Sequence, residues 1–416
     1  MRLSTIFNSE NNLKYFSISL VCLTIIYICY VLISRGNFYP FDFFRPIVFW
    51  PGGSLYGDIK IIKPLALMIQ EGLDPYVVPN GTFSIPLTYP PIWIWIAQSF
   101  QLHIDWHFYT FVSIYIFIFI GILLYFMMKG NSGWYLLLFF STPSLLGIDR
   151  GTSDILVFDL LFLVAVLLCT KNIYAQWLAG IPLLFAGAIK YFPFVGILAF
   201  RKTALVFALS ALAGFYLYYY FDYLTLGIKL TQYPELILAY GATIFFNNSK
   251  VFVLGFLIIT AQLLYLVSKK YLTFYSIINS QNSTLDFNQT LYVLGASCYC
   301  LSFLSHGNWD YRLVVLFLCF PLLLQNKNLP LVRFILILHV VIFFGGLYVY
   351  VAKEITQTTY RDSPARMVGT IMQFFKLLIW YFHAIILLKY AYSNWLPSIF
   401  KIKMEGLWEK RRQRIV

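Results

Sequence analysis

Apolar runs near the ~20 residues that a helix needs to span a hydrocarbon layer about 30 Å thick recur along this chain, separated by short polar stretches. They predict membrane crossings at 15–34, 108–128, 134–148, 155–169, 203–221, 251–268, 290–305, 311–324, 331–351 and 367–391. Two apolar regions break the rule. Residues 90–103 are short, follow Pro90-Pro91 and end at His103 and Asp105. Residues 174–200 hold two short pieces around Lys190-Tyr191-Phe192-Pro193, the pattern of a re-entrant or broken pair buried against other helices. The pattern predicts an all-α polytopic membrane protein with a single transmembrane domain over 1–393. The tail over 394–416 mixes Trp395, Phe400, Leu407 and Trp408 with lysines and arginines, as a basic amphipathic helix on the inner interface does.

Composition sharpens this. Of 416 residues, 60% are hydrophobic and 11% charged, whereas a soluble domain carries roughly 25% charged residues; a water-soluble fold is excluded. The net charge of +13 does not point to nucleic acid, because the basic residues stand in ones and twos between apolar runs. Arg201-Lys202, Lys269-Lys270 and Lys410-Arg411-Arg412 mark the cytoplasmic side by the positive-inside rule. Adding the N-terminus, Lys129, Lys171 and Lys327 to that side gives a consistent topology for a plasma (inner) membrane protein with both termini cytoplasmic. Asp42, Asp58, Glu71, Asp74, Asp105, Asp149, Asp154, Asp159, Asp222, Glu235, Asp310, Glu354 and Asp362 then fall in or near outer segments, and Glu10, Asp286, Glu405 and Glu409 inside. Acidic residues contribute little to orientation, so the asymmetry is independent information: the chemistry is expected on the periplasmic or extracellular face. The first run, Tyr15 to Ile33, lacks a small-residue cleavage site and reads as a transmembrane helix rather than a signal peptide. The six cysteines show no metal or disulfide spacing.

Four segments carry candidate chemistry. The outer loop over 35–89 contains Gly57-Asp58, Asp74-Pro75-Tyr76 and Tyr89-Pro90-Pro91; between them Ile59 to Gln70 repeats apolar residues at helical spacing, with Pro64 suiting a first turn and Gly72 a stop. This predicts a short helix along the membrane surface. Asp58 just before it is either a helix cap or a general base. The polar break Asp149-Arg150-Gly151-Thr152-Ser153-Asp154 either pairs Asp149 with Arg150 to hold a loop or lines a wet cavity. Lys190 either snorkels to the interface or meets an anion. The turn Ser305-His306-Gly307-Asn308-Trp309-Asp310-Tyr311-Arg312 gathers His306, Asp310 and Arg312, either as an internal Asp310–Arg312 ion pair or as donors to phosphate oxygens. Arg361, in the last outer loop, reads first as solvated loop. His103, His107, His306, His339 and His383 are dispersed, so no metal site is expected, and no phosphate loop or dinucleotide fingerprint is present. No cofactor is expected.

The order of these motifs, from Asp58 through Asp74-Pro75-Tyr76, Tyr89-Pro90-Pro91 and Arg150 to Asp154 to Lys190-Tyr191-Phe192-Pro193, resembles glycosyltransferase family 87 of the GT-C membrane glycosyltransferases, which includes polyprenyl-phosphate-mannose-dependent mannosyltransferases. The resemblance covers 50–205; beyond that it rests on topology and the His306 to Arg312 turn. It implies a GT-C type fold of about ten to thirteen crossings. It implies a polyprenyl-phosphate-linked sugar donor, mannose-like or another hexose or pentose, and a glycan or glycolipid acceptor. By that resemblance Asp58 deprotonates the acceptor hydroxyl for inverting attack, and His306 and Arg312 hold the leaving phosphate. Lys190, Arg150 and Arg361 are expected to assist, with Asp149, Asp154, Tyr76, Tyr89 and Asp310 lining the substrate. Thr152 stands where family members often carry Asn.

Two other readings compete. A transporter or flippase for an anionic or polyprenyl-linked lipid would use the same cations without making a bond, but no internal repeat of the kind common in transporters is evident. A structural envelope protein would not need the long first outer loop.

Overall fold

The computed structural model of the 416-residue chain describes residues 56–77, 89–130, 132–200, 285–305, 308–345 and 363–395, with isolated positions at 17–19, 21–23, 239–240, 258, 262 and 348. The expected crossing at 15–34 is described only at its few positions, and those at 203–221 and 251–268 lie almost wholly outside these residues, as does the tail over 394–416. The described residues are mostly helical, apart from one two-residue antiparallel pairing, β1 (Ala239–Tyr240) with β2 (Asn308–Trp309).

The first described segment begins with a 3-10 helix, Ile59–Ile62, followed by α1 (Leu65–Gln70) and α2 (Ile92–Ser99). Pro64 stands at the N-cap of α1 and Gly72 ends it at φ 73°, the roles their chemistry suits. The expected single surface helix is thus two pieces meeting at Lys63 and Pro64, because proline supplies no N–H to continue the ladder.

Then come α3 (Asp105–Lys129) and α4 (Ser132–Phe139), followed by α5 (Thr142–Arg150) and α6 (Ser153–Leu168). The crossing expected at 134–148 is two helices. Ser141 is extended and Pro143 sits in the first turn of α5, so the chain restarts there instead of continuing. Gly151 then closes α5 in the left-handed conformation, Thr152 is extended, and α6 leaves at 112° to α5. Beyond it α7 (Ile173–Leu178), α8 (Gly180–Ile189) and a 3-10 helix, Phe192–Ala199, form the broken region expected around Lys190.

The last part comprises α9 (Phe287–Ser305), a 3-10 helix Asp310–Cys319 running into α10 (Phe320–Gln325), α11 (Pro330–Phe343) and α12 (Ser363–Trp395). Among the described residues, Asp105–Lys129 and Ile371–Ala391 are long and apolar enough to cross a membrane, and the bent pair α5–α6 adds a third if it counts as one span.

The core is contiguous across these elements, centred on α9, where Leu291, Tyr292, Leu294, Ala296 and Tyr299 are fully buried. Gly295 lets α9 meet the 3-10 helix at backbone distance: a Cβ there would lie 2.7 Å from the Val315 carbonyl oxygen, the close approach that small residues permit between membrane helices. Polar side chains tie α9 to α12, with the Trp380 indole donating to the Cys300 carbonyl at 3.1 Å and the Tyr299 hydroxyl to the Lys376 carbonyl at 2.8 Å. Trp95 and Trp106 are exposed near the start of α3, and Tyr174 and Trp177 just past the end of α6. Amphipathic rings take such places at the two membrane–water boundaries.

Candidate functional site

At the end of the molecule where α3 and α6 begin, five charged side chains come together from four separate stretches of chain. Asp58 precedes the first 3-10 helix and forms an ion pair with Arg150, the last residue of α5. Asp154, in the first turn of α6, lies 3.7 Å from the Lys190 ammonium and 3.8 Å from Arg312 Nε. Asp58 and Arg312 are both near enough for their charges to act on Lys190, so the two groups of ions form one cluster. Among the described residues of the cluster, three cations face two carboxylates, an excess of one positive charge.

Local structure explains each placement. The helix break carries Arg150 and Asp154 on either side of Gly151, and the break is clamped by two tyrosines. The Tyr56 N–H donates to the Asp149 carbonyl at 2.7 Å, and the Tyr115 hydroxyl donates to the Gly151 carbonyl. Tyr56 is itself in the left-handed region at φ 62°, a conformation that a bulky residue holds only when its surroundings impose it. Lys190 follows the last turn of α8, where the chain turns extended before Pro193.

Several open alternatives from the sequence now close. Asp58 occupies an N-cap position yet makes no cap bond; its carboxylate goes to Arg150. Arg150 therefore pairs with Asp58, 92 positions away, and not with its neighbour Asp149 as the loop-holding alternative had it. Asp149 is buried, with its backbone carbonyl serving Tyr56. Lys190 does not snorkel to the interface: its side chain is 14% exposed, sits over the Tyr89 ring at 5.4 Å and pairs with Asp154. Tyr76 joins the same wall by donating its hydroxyl to the Tyr89 carbonyl at 3.0 Å, while its own N–H is held by Asp74 at 2.9 Å. His306 and Arg361 lie outside the described residues, and only the backbone of Asp310 falls within them.

Electrostatics divides the two carboxylates. Asp154 is fully buried, and neither of its oxygens accepts a hydrogen bond from the described residues. Its separations from Lys190 and Arg312 exceed the 2.7–3.2 Å of N–H···O bonds, so it compensates those cations by charge without saturating their donors. The Asp58 and Arg150 side chains are 22% and 20% exposed. Burial pushes the Lys190 ammonium down to about 8, helped by Arg312 and opposed by Asp154 and Asp58.

Sequence reasoning named every ion in this cluster but missed its supports. Gly151 followed by Thr and Ser carried a readable signal, a left-handed helix stop and a restart. Tyr56 and Tyr115 carried none, because an aromatic in an apolar run looks like core. Asp159, named only as an outer acid, is buried within α6 with neither oxygen hydrogen-bonded among the described residues. A groove of about 540 Å³ lined by Ile118, Tyr125, Phe162 and Phe287 lies toward the other ends of α3 and α6 and takes no part in the cluster. Comparison with known protein families, curated proteins and solved structures returns no match.

Proposed function

We propose that the protein is a membrane glycosyltransferase of GT-C type with about ten to thirteen crossings. In this reading it moves one sugar from a polyprenyl-phosphate donor to an acceptor hydroxyl of a glycan or glycolipid on the outer side of the plasma membrane. The observation that carries the reading is the junction of Asp58 with Arg150, Asp154, Lys190 and Arg312 at a clamped helix break. It offers one partly exposed carboxylate beside a surplus of positive charge.

The chemistry follows from those groups. Asp58 takes the proton of the acceptor hydroxyl as its oxygen attacks the anomeric carbon, and the bond from that carbon to the phosphate oxygen breaks with its electron pair leaving on phosphate. The donor is a phosphodiester with one negative charge and the departing polyprenyl phosphate carries two. The charge on phosphate therefore grows along the reaction, and fixed cations bind the transition state more strongly than the ground state. Lys190, Arg312 and Arg150 supply them, with His306 as a further donor by the family resemblance and Arg361 as a further cation of the outer segments. A single base with an assisted leaving group gives inversion.

The test is sugar transfer by the purified full chain in nanodiscs. A panel of radiolabelled polyprenyl-phosphate sugars serves as donor and a membrane glycolipid extract as acceptor, for wild type beside Asp58→Asn. Transfer by the wild type that falls by at least about a hundredfold in the variant, with farnesyl phosphate still bound, is expected. Binding without transfer across the panel, unchanged by the substitution, would make the protein a lipid transporter instead.

A further inference from the structure

The proposed base is not free in this structure: Asp58 is held by Arg150, one of the cations assigned to the donor phosphate. A carboxylate locked to a guanidinium is a poor acceptor for a hydroxyl proton, so the pair must open before reaction. Resting on the transferase reading, we propose that Arg150 is a latch. It neutralises Asp58 in the empty site and moves to the donor phosphate when the donor binds, so that the base is released only once the sugar is in place.

Three features of the cluster favour exchange at this pair. The first is exposure. Asp154 is fully buried between Lys190 and Arg312, and stripping it of its partners would strand a charge out of water, whereas the Asp58–Arg150 pair is one-fifth exposed on both sides, so water can reach its charges and it costs less to open. The second is reach. The backbone around Arg150 is clamped by Tyr56 and Tyr115, so only the long, flexible arginine stem can move, while the short Asp58 side chain stays two residues from the strained Tyr56. The third is chemistry. A planar guanidinium binds phosphate oxygens through two parallel bonds, and a phosphate that gains charge competes better than a fixed carboxylate. The exchange also leaves Arg150 on the group whose charge develops.

If Asp58 and phosphate compete for Arg150, removing the carboxylate strengthens phosphate binding, and only while Arg150 is present. The experiment is a double-mutant cycle on the full chain in nanodiscs, with farnesyl phosphate binding measured by calorimetry for wild type, Asp58→Asn, Arg150→Ala and the double variant. Arg150→Gln, which keeps most of the stem, replaces Arg150→Ala if that variant does not yield folded protein. The latch predicts about tenfold tighter binding in Asp58→Asn, weaker binding without Arg150, and no gain from Asp58→Asn in that background. An equal gain in both backgrounds means that Asp58 acts by charge alone, and no gain in either means that the pair is a fixed support; each overturns the latch and leaves the transferase reading standing. Inorganic phosphate binding as tightly as farnesyl phosphate, with the same coupling, would keep the latch and remove the lipid donor. Absence of binding to either probe removes both.

Discussion

Lys190 carries its charge against the pull of burial, and this makes it a residue through which pH reaches the site. With its ammonium pushed down to about 8, the charge is present below that pH and lost as pH rises through it. An anion held by Lys190 is therefore bound more tightly below that pH than above it. Farnesyl phosphate affinity is expected to fall by up to about tenfold per pH unit above 8, and Lys190→Arg, whose charge persists, is expected to flatten that limb. Titrated binding of the two proteins checks it; identical limbs would show that Lys190 does not meet the phosphate. Asp58 teaches the complementary lesson. Its position before a helix suggested a cap as readily as a base, and the cap was removed by an arginine 92 positions away that takes the carboxylate, a distance that no local pattern spans.

Among the elements, the α5–α6 break does the most for the site, because it turns one apolar stretch into two helix ends that present Arg150 and Asp154 side by side. Gly151 is what permits it. A Cβ there would stand 2.9 Å from Tyr56 Cβ and 3.0 Å from Val112 Cγ1, on a backbone at φ 59° that side chains resist. Gly151→Ala is expected to cost roughly 2–5 kcal/mol of stability, read as a lowered unfolding temperature in detergent, and to weaken farnesyl phosphate binding with it. Gly121→Ala, where an added methyl meets nothing within 4 Å inside α3, is the control expected to leave farnesyl phosphate binding unchanged and the unfolding temperature no lower. The 3-10 helix Asp310–Cys319 shows a different use of irregular winding. At about 2 Å per residue it runs roughly 20 Å, and α10 adds about 9 Å. The tighter winding lengthens a segment of few residues, and it brings Arg312 to Asp154.

Across the whole molecule, a buried hydrogen-bonded chain that shares no residue with the charged cluster joins three helices. The Tyr292 hydroxyl lies 2.9 Å from His383 Nδ1, His383 Nε2 is 3.2 Å from His339 Nε2, and His339 Nδ1 is 2.8 Å from the Ile335 carbonyl. The carbonyl only accepts, so with neutral rings His339 donates from Nδ1, His383 donates from Nε2 and Tyr292 donates its hydroxyl: one proton arrangement satisfies every group. His383→Phe strands two of these groups and is expected to destabilise the fold by about 2–5 kcal/mol. Replacing Tyr292, His383 and His339 together by apolar residues of similar size is expected to cost less than that single change. Thermal unfolding of both variants in detergent decides whether the chain works as a unit. The sequence alone determined the helical class with stretches long and apolar enough to cross a membrane, the broken region around Lys190 and every ion of the charged cluster, because hydrophobic length and the desolvation of charge are local and leave marks residue by residue. Only the tertiary structure decided which carboxylate meets which cation, that 134–148 is two helices meeting at a proline, and that scattered histidines on α11 and α12 share a proton chain with Tyr292. Those are consequences of packing, where a partner is chosen by which segments pass within a few ångströms of one another.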